Sequence, residues 1–203
     1  MSLCIVINNS LLQVPPHCIP IHANVTTYDW GPLVEACQFD VIMMDPPWQL
    51  ATANPTRGVA LGYSQLTDAD IQALPIGRLQ SNGFLFIWVI NTKYHFTLDL
   101  LDRWGYRLVD EVVWVKLTVN RRLAKSHGFY LQHAKEVCLV AKKGADPPGL
   151  QHRVGSDVIL RNNLRNHWVT IGNEVTGKGP PAEDAVAVQD CGMVPGAVYG
   201  RAN

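Results

Sequence analysis

A chain of 203 residues, 47% apolar and 17% charged, has the length of one α/β domain and enough apolar content for a sizeable core, so it is not disordered as a whole. Lysine plus arginine balance aspartate plus glutamate, 17 against 17, which argues against a polybasic protein that grips nucleic acid by bulk charge. Five scattered cysteines without a CxxC pair give neither a disulfide framework nor a zinc site, and no apolar segment reaches membrane-spanning length, so the chain reads as intracellular, reduced and soluble.

Residues 1–22 end in the proline-rich VPPHCIP and read as an N-terminal arm. FDVIMMD, from Phe39 to Asp45, is a short apolar run stopped by Pro46 and Pro47, the pattern of a strand buried on both faces. LATANPTRGVALGYSQ follows with small, turn-forming residues and no apolar period, a long loop of the kind that carries function. Thr67 offers an N-cap to a short helix running through Leu74. Gly83 to Ile90 is a second buried strand, Thr92 to Trp104 a helix ended by Gly105, Asp110 to Lys116 a third strand and Glu136 to Lys142 a fourth. Strands alternating with helices predict an α/β domain over residues 23–175 with a mostly parallel, doubly wound sheet. Trp168 to Asn173 is a last apolar piece, and residues 176–203 read as a disordered tail.

The sharpest motif is Asp45-Pro46-Pro47-Trp48 at the carboxyl end of a buried strand, the edge where open α/β sheets bind ligands. Two prolines stiffen the backbone and remove two donors, which leaves carbonyls free to accept. An acceptor carboxylate, a free carbonyl and an indole suit a flat substrate with an exocyclic amine: the amine hydrogens go to Asp45 and the Pro46 carbonyl, and Trp48 stacks on the ring. The bland alternative is a turn that ends a strand.

The blocks FDVIMMDPPW, GYSQLTDADI, GFLFIWV, WGYRLVDEVVWVK, HAKEVCLVAKKG and WVTIGNE, in that order from Asn24 to Glu174, resemble the eukaryotic adenine-N6 methyltransferases, which act on RNA or DNA. The stretch QLATANPTRG is more similar to the DNA-directed branch. The resemblance implies a Rossmann-like S-adenosylmethionine-dependent methyltransferase domain of permuted type, a nuclear location and a catalytically inactive methyltransferase-like partner subunit. It also implies a catalytic role for Asp45, Pro46, Pro47 and Trp48, and places Tyr63 on the gating loop and Glu136 on the substrate side. Asn24, Val25, Asp45, Asn163, Asn173 and Glu174 fall at cofactor positions. Hydrogen bonds to Asp45 and Pro46 would draw the adenine N6 towards tetrahedral geometry for in-line attack on a sulfonium methyl. A base taken from a duplex would leave the stack, with Trp48 and Tyr63 placed to receive it.

One departure from the family pattern is large. Between Asp157-Val158-Ile159 and Trp168 the family carries an active-site loop with a Lys-Pro pair, a helix and the central cofactor strand, and this chain has only a few residues there. The domain is therefore expected to be incomplete. A non-catalytic nucleic-acid or subunit-binding module that has lost the cofactor site stands as the second reading, and an N4-cytosine methyltransferase as a third that the flanking blocks do not fit.

Charge is uneven along the chain: residues 1–100 hold three basic and seven acidic groups, whereas Lys116, Arg121, Arg122, Lys125, Lys135, Lys142 and Lys143 face only Glu136 within 114–143. A solvated loop is the plain reading of that segment. The resemblance favours a border of the nucleic-acid groove, with Arg121, Arg122 and Lys125 on phosphates. His127 and His133 lack a third ligand, so no metal site is expected. Trp88, Trp104 and Trp114 lie in apolar runs and read as core, and Asp110 and Glu111 are adjacent strand residues facing opposite ways, a poor acid/base pair.

Overall fold

The computed structural model describes residues 3–7, 10–14, 18–49, 65–124, 130–152, 155–161 and 185–189. Strands β1 (Leu3–Ile7) and β2 (Ser10–Val14) form an antiparallel pair, and β3 (Cys18–His22) pairs in parallel with β9 (Ala185–Gln189). The latter strand falls in the stretch expected to be a tail.

The main sheet has five strands: β4 (Val41–Met44), β5 (Gly83–Val89), β6 (Arg107–Lys116), β7 (Lys135–Lys143) and β8 (Val158–Arg161), in the order β4-β5-β7-β6-β8. β4 and β5 are parallel, as are β6 and β8, but β7 runs antiparallel to both of its neighbours. The sheet is thus mixed, a correction to the expectation of a mostly parallel one. The reason lies in the connection. β5 returns through α4 (Tyr94–Trp104) to β6 in the same direction, whereas β6 leads into β7 through residues 117–134, where no helix is described to carry the chain back across the sheet. β7 therefore enters head to tail between β5 and β6.

Both faces of β5 and of the middle of β7 are buried, which is why their sequences read as unbroken apolar runs. On one face Ile42, Met44, Leu85, Ile87, Leu139 and Ala141 pack against Ile71 of α2 (Asp68–Ala73), Ile76 and Leu79 of α3 (Ile76–Leu79), and Leu100, Leu101 and Trp104 of α4. On the other, Met43, Phe86, Trp88, Val112, Cys138 and Val140 form a second cluster built from strands alone. A short helix, α1 (Gly31–Ala36), adds Leu33 and Val34 to the margin of the first core.

Local signals account for the helix ends. Thr67 caps α2 through a capping box: its hydroxyl accepts from the Asp70 N–H at 3.1 Å, and the Asp70 carboxylate accepts from the Thr67 N–H at 3.0 Å. Gly105 closes α4 in the left-handed conformation at φ 82°. Lys143, one member of the basic run, donates to the Gly77 and Trp104 carbonyls at 2.6 and 3.0 Å and so ties the end of β7 to α3 and α4. Among the described residues no helix is long and apolar enough to cross a membrane, and no group of His, Cys, Asp and Glu could hold a metal.

The start of β5 is a tight point of the fold. Gly83 adopts φ +143°, and a Cβ there would run into the Asp40 carbonyl and the Gln80 amide. Gln80, fully buried, donates to the Phe39 carbonyl at 2.7 Å and so fastens the segment before β4 to the one before β5. Gly83→Ala is expected to lower stability by about 3 kcal/mol. Urea unfolding followed by tryptophan fluorescence measures this, and an unchanged midpoint would show that the constraint is absent.

Candidate active site

The carboxyl ends of β4, β5, β6 and β8 and the amino end of β7 share one edge of the sheet. The residues that follow β4, Asp45 to Trp48, therefore lie at the same edge as those that precede and open β7, His133 to Glu136, with the end of β5 between them. At this edge the Asn91 side-chain amide lies 3.0 Å from Nδ1 of His133, closing the gap between the ends of β5 and β7.

The motif is held by its own backbone and by its tryptophan. The Trp48 N–H donates to the Pro46 carbonyl at 2.8 Å, a tight turn that proline geometry favours. The Pro47 carbonyl accepts from the Leu66 N–H at 2.9 Å, which anchors the chain just ahead of α2. These bonds correct the expectation of free carbonyls: Pro46 keeps one lone pair for a ligand, since a carbonyl oxygen can accept two bonds.

Trp48 is corrected more strongly. Only 5% exposed, it donates from Nε1 to the Trp88 carbonyl at 3.0 Å and sets its ring edge-on to Phe96 of α4, centroids 6.3 Å apart. An indole buried on the helix-covered face has no open surface on which a base could stack. It is a strut that fixes the motif to the end of β5, because the indole N–H needs a partner once buried and the strand-end carbonyl supplies it. Trp48→Phe removes that donor and is expected to cost about 2 kcal/mol, read as a lower urea midpoint.

Asp45 lies on the opposite side of the strand from Met44. Burial, and after it the charge of the Glu136 carboxylate, raise its pKa from 3.8 to about 7. Glu136 is paired across the strands with Trp114 and makes an ion pair with Lys116. Cys138, one row further along β7 and fully buried, has its thiol pushed up by burial and by the charge of Asp45. In the sequence Lys116 counts only as a member of the basic segment, and neither it nor Cys138 is given a place in the site. The signal for Lys116 was its place at the end of WVK, two residues from Trp114 and on the same face of the strand.

A folded pKa of about 7 against 3.8 means that the native state holds the Asp45 proton more tightly than the unfolded chain. Its stabilising contribution is complete below pH 3.8 and is lost as pH rises through about 7. Asp45→Asn should therefore raise stability by about 2 kcal/mol at alkaline pH, with the gain shrinking as the wild-type carboxyl becomes protonated. Urea midpoints at about pH 8 and pH 5 test the sign; a gain independent of pH would contradict the account.

The other expected site residues are placed as follows. Asn24 is exposed and its side-chain oxygen accepts from both the Thr26 N–H and hydroxyl, at 3.0 and 2.7 Å. The Val25 carbonyl accepts from Trp30 Nε1 at 3.1 Å. Arg121 and Arg122 are exposed at the tip of a tight turn after β6, where the Thr118 N–H donates to the Arg122 carbonyl at 2.7 Å and Arg121 takes a positive φ of 56°. Tyr63, Lys125, Asn163, Asn173 and Glu174 lie outside the described residues. The basic run is not one patch. Lys116, Lys135 and the two arginines sit at the Asp45 edge, but Lys142 and Lys143 lie at the far end of β7 because that strand is antiparallel. Of the tryptophans, Trp88 and Trp104 are buried as expected, and Trp114 is half-buried beneath Lys116. Asp110 and Glu111 do face apart, and Glu111 accepts from the Tyr94 hydroxyl at 3.3 Å.

The five-stranded mixed α/β sheet is consistent with the S-adenosylmethionine-dependent methyltransferase-like fold of the MT-A70 family. The MT-A70 family model matches residues 39–160, and the chain belongs to that family. It is 31% identical over 174 residues to the human N(6)-adenosine-methyltransferase catalytic subunit METTL3, covering 69% of this chain and 29% of the human protein. To the Drosophila melanogaster N(6)-adenosine-methyltransferase MT-A70-like protein it is 29% identical over 174 residues, with 69% and 27% covered. To the human N(6)-adenine-specific methyltransferase METTL4 it is 37% identical over 84 residues, covering 39% and 17%. The chain thus spans less than a third of the length of these relatives.

Proposed function

We propose that this chain methylates adenine N6 in nucleic acid with S-adenosylmethionine as donor. The observation that carries this reading is the pair of acceptors, the Asp45 carboxylate and the remaining lone pair of the Pro46 carbonyl, fixed at the ligand-binding edge of an MT-A70 domain. Ionised Asp45 accepts one hydrogen of the exocyclic amine and the Pro46 carbonyl accepts the other. Together they localise the nitrogen lone pair and orient it, and this positioning supplies most of the rate enhancement asked of the protein. Trp48 keeps both acceptors rigid without touching the base. Glu136, ion-paired with Lys116, lines the substrate side of the same edge.

The residues fit the cofactor. Glu136 adds negative charge near Asp45 where burial already disfavours ionisation, and a sulfonium bound there would add positive charge to that of the Lys116 ammonium paired with Glu136. When bound, S-adenosylmethionine supplies an electrophilic methyl group. Asp45, Asn24 through its amide NH2, Val25, Asn163, Asn173 and Glu174 are proposed to hold it.

DNA is proposed ahead of RNA as acceptor because of the QLATANPTRG stretch. A catalytically inactive methyltransferase-like subunit is proposed to cover the segment between β6 and β7, where Val119, Leu123, Tyr130 and Leu131 are exposed beside Arg121 and Arg122, and the complex is proposed to be nuclear. The second reading, a binding module without catalysis, draws on the few residues between Ile159 and Trp168. Titration calorimetry separates the two: micromolar binding of S-adenosylmethionine supports the enzyme, and no binding supports the module.

Transfer of labelled methyl to DNA or RNA oligonucleotides with adenine as the methylatable base tests activity and acceptor class. Asp45→Ala should reduce it about 100-fold or more, and undiminished transfer would refute the mechanism. Because only ionised Asp45 accepts the amine hydrogen, wild-type activity should climb with pH through a midpoint near 7.

A further inference from the structure

Lys116 closes β6 and is held from two sides. Its ammonium stands 5.1 Å from the centroid of the Trp114 ring, and it is ion-paired with the Glu136 carboxylate across the β6–β7 register. Its backbone N–H donates to the Ala134 carbonyl at 2.8 Å, which ties the strand end that carries it to the residue just before β7. The side chains of Lys116 and Glu136 are 31% and 41% exposed, and a pair this open adds little to stability. Its consequence is therefore local: it fixes where the Glu136 charge sits and how much of that charge reaches its neighbours.

We propose that Lys116 is a positioning residue for the amine-accepting site, its ammonium seated against Trp114 so as to hold the Glu136 carboxylate in place and offset its charge beside Asp45. The proposal rests on the reading of Asp45 as the acceptor of the substrate amine. Lys116 does not touch the substrate; it acts through Glu136. The groups around Asp45 make this plain. From β7, Glu136 and Cys138 act on or respond to Asp45, and from β5 the next residue in register, Trp88, has no titratable group. From β6, Lys116 acts across Glu136, and the end of β8 brings the Arg161 backbone alongside Lys116. Burial and the Glu136 charge already place the Asp45 midpoint near 7, where a modest change in the neighbouring charge alters the ionised fraction most.

The test reads the Asp45 carboxyl directly in the full chain, labelled with 13C-aspartate and titrated by NMR, with Asp45→Asn assigning the resonance. Lys116→Met should raise the Asp45 midpoint by about half a pH unit or more, because the Glu136 charge is then uncompensated. Glu136→Gln should lower it. In the Glu136→Gln background Lys116→Met should have no further effect, and Lys116→Arg alone should restore the wild-type midpoint. An unchanged midpoint in Lys116→Met, or the same upward shift in both backgrounds, would overturn the proposal, the latter by showing that lysine acts on Asp45 without Glu136. Lys116→Gln, run in parallel, gives the same reading if the methionine variant is poorly soluble. No methyl donor or acceptor is present, so the titration and the methyl-transfer assay succeed or fail independently.

Discussion

The indole N–H of Trp48, bonded at 3.0 Å to the carbonyl of Trp88, is the constraint on which the site depends. Pro46 and Pro47 stiffen the chain after β4 but cannot aim it, since proline restricts φ and offers no donor. The aim comes from the buried tryptophan, which reaches across to the end of β5 and rests on Phe96 of α4. Once that strut is in place Asp45 is held half-buried at the end of β4, and the cost of that partial burial appears as a carboxyl that is reluctant to ionise. The motif therefore divides its labour. Asp45 and Pro46 present acceptors, while Pro47 and Trp48 make their position permanent.

Much of this was legible in the sequence. The runs from Phe39 and Gly83 and the one ending at Lys142 are strands because they are apolar on both faces, Thr67 caps a helix because its hydroxyl and the carboxylate of Asp70 satisfy each other's N–H groups, and Gly105 stops a helix because it alone tolerates the left-handed turn. The direction of β7 was not legible, because a strand buried on both faces has the same pattern whichever way it runs. Trp48 misled for a related reason. An aromatic residue next to a binding motif has the same letter whether it offers a face to a ligand or buries that face as support, and only its 5% exposure distinguishes the two. The basic run misled because a linear count does not know that the strand carrying Lys142 and Lys143 points away from the site.

Charge at the site follows from the same geometry. The overall balance of 17 basic and 17 acidic residues says nothing of the edge where Asp45, Glu136 and Lys116 meet. There a carboxylate is made hard to ionise by its surroundings, a second carboxylate adds to the difficulty, and that second carboxylate is ion-paired with one ammonium. Arg121 and Arg122 stand on the turn after β6, outside that cluster, where a polyanion could meet them without entering the buried part of the site.

The insertion of β7 between β5 and β6 has a consequence for how the site comes into being. Asp45 and Glu136 are far apart in the chain and come to one edge of the sheet only when β7 fills its middle position. Contacts of such long sequence separation form late, since the loop they close carries the greater entropic cost. A chain lacking β7 would keep an Asp45 without its neighbouring carboxylate, and its carboxyl would ionise more readily. The acidity of one side chain thus records whether the last central strand has found its place.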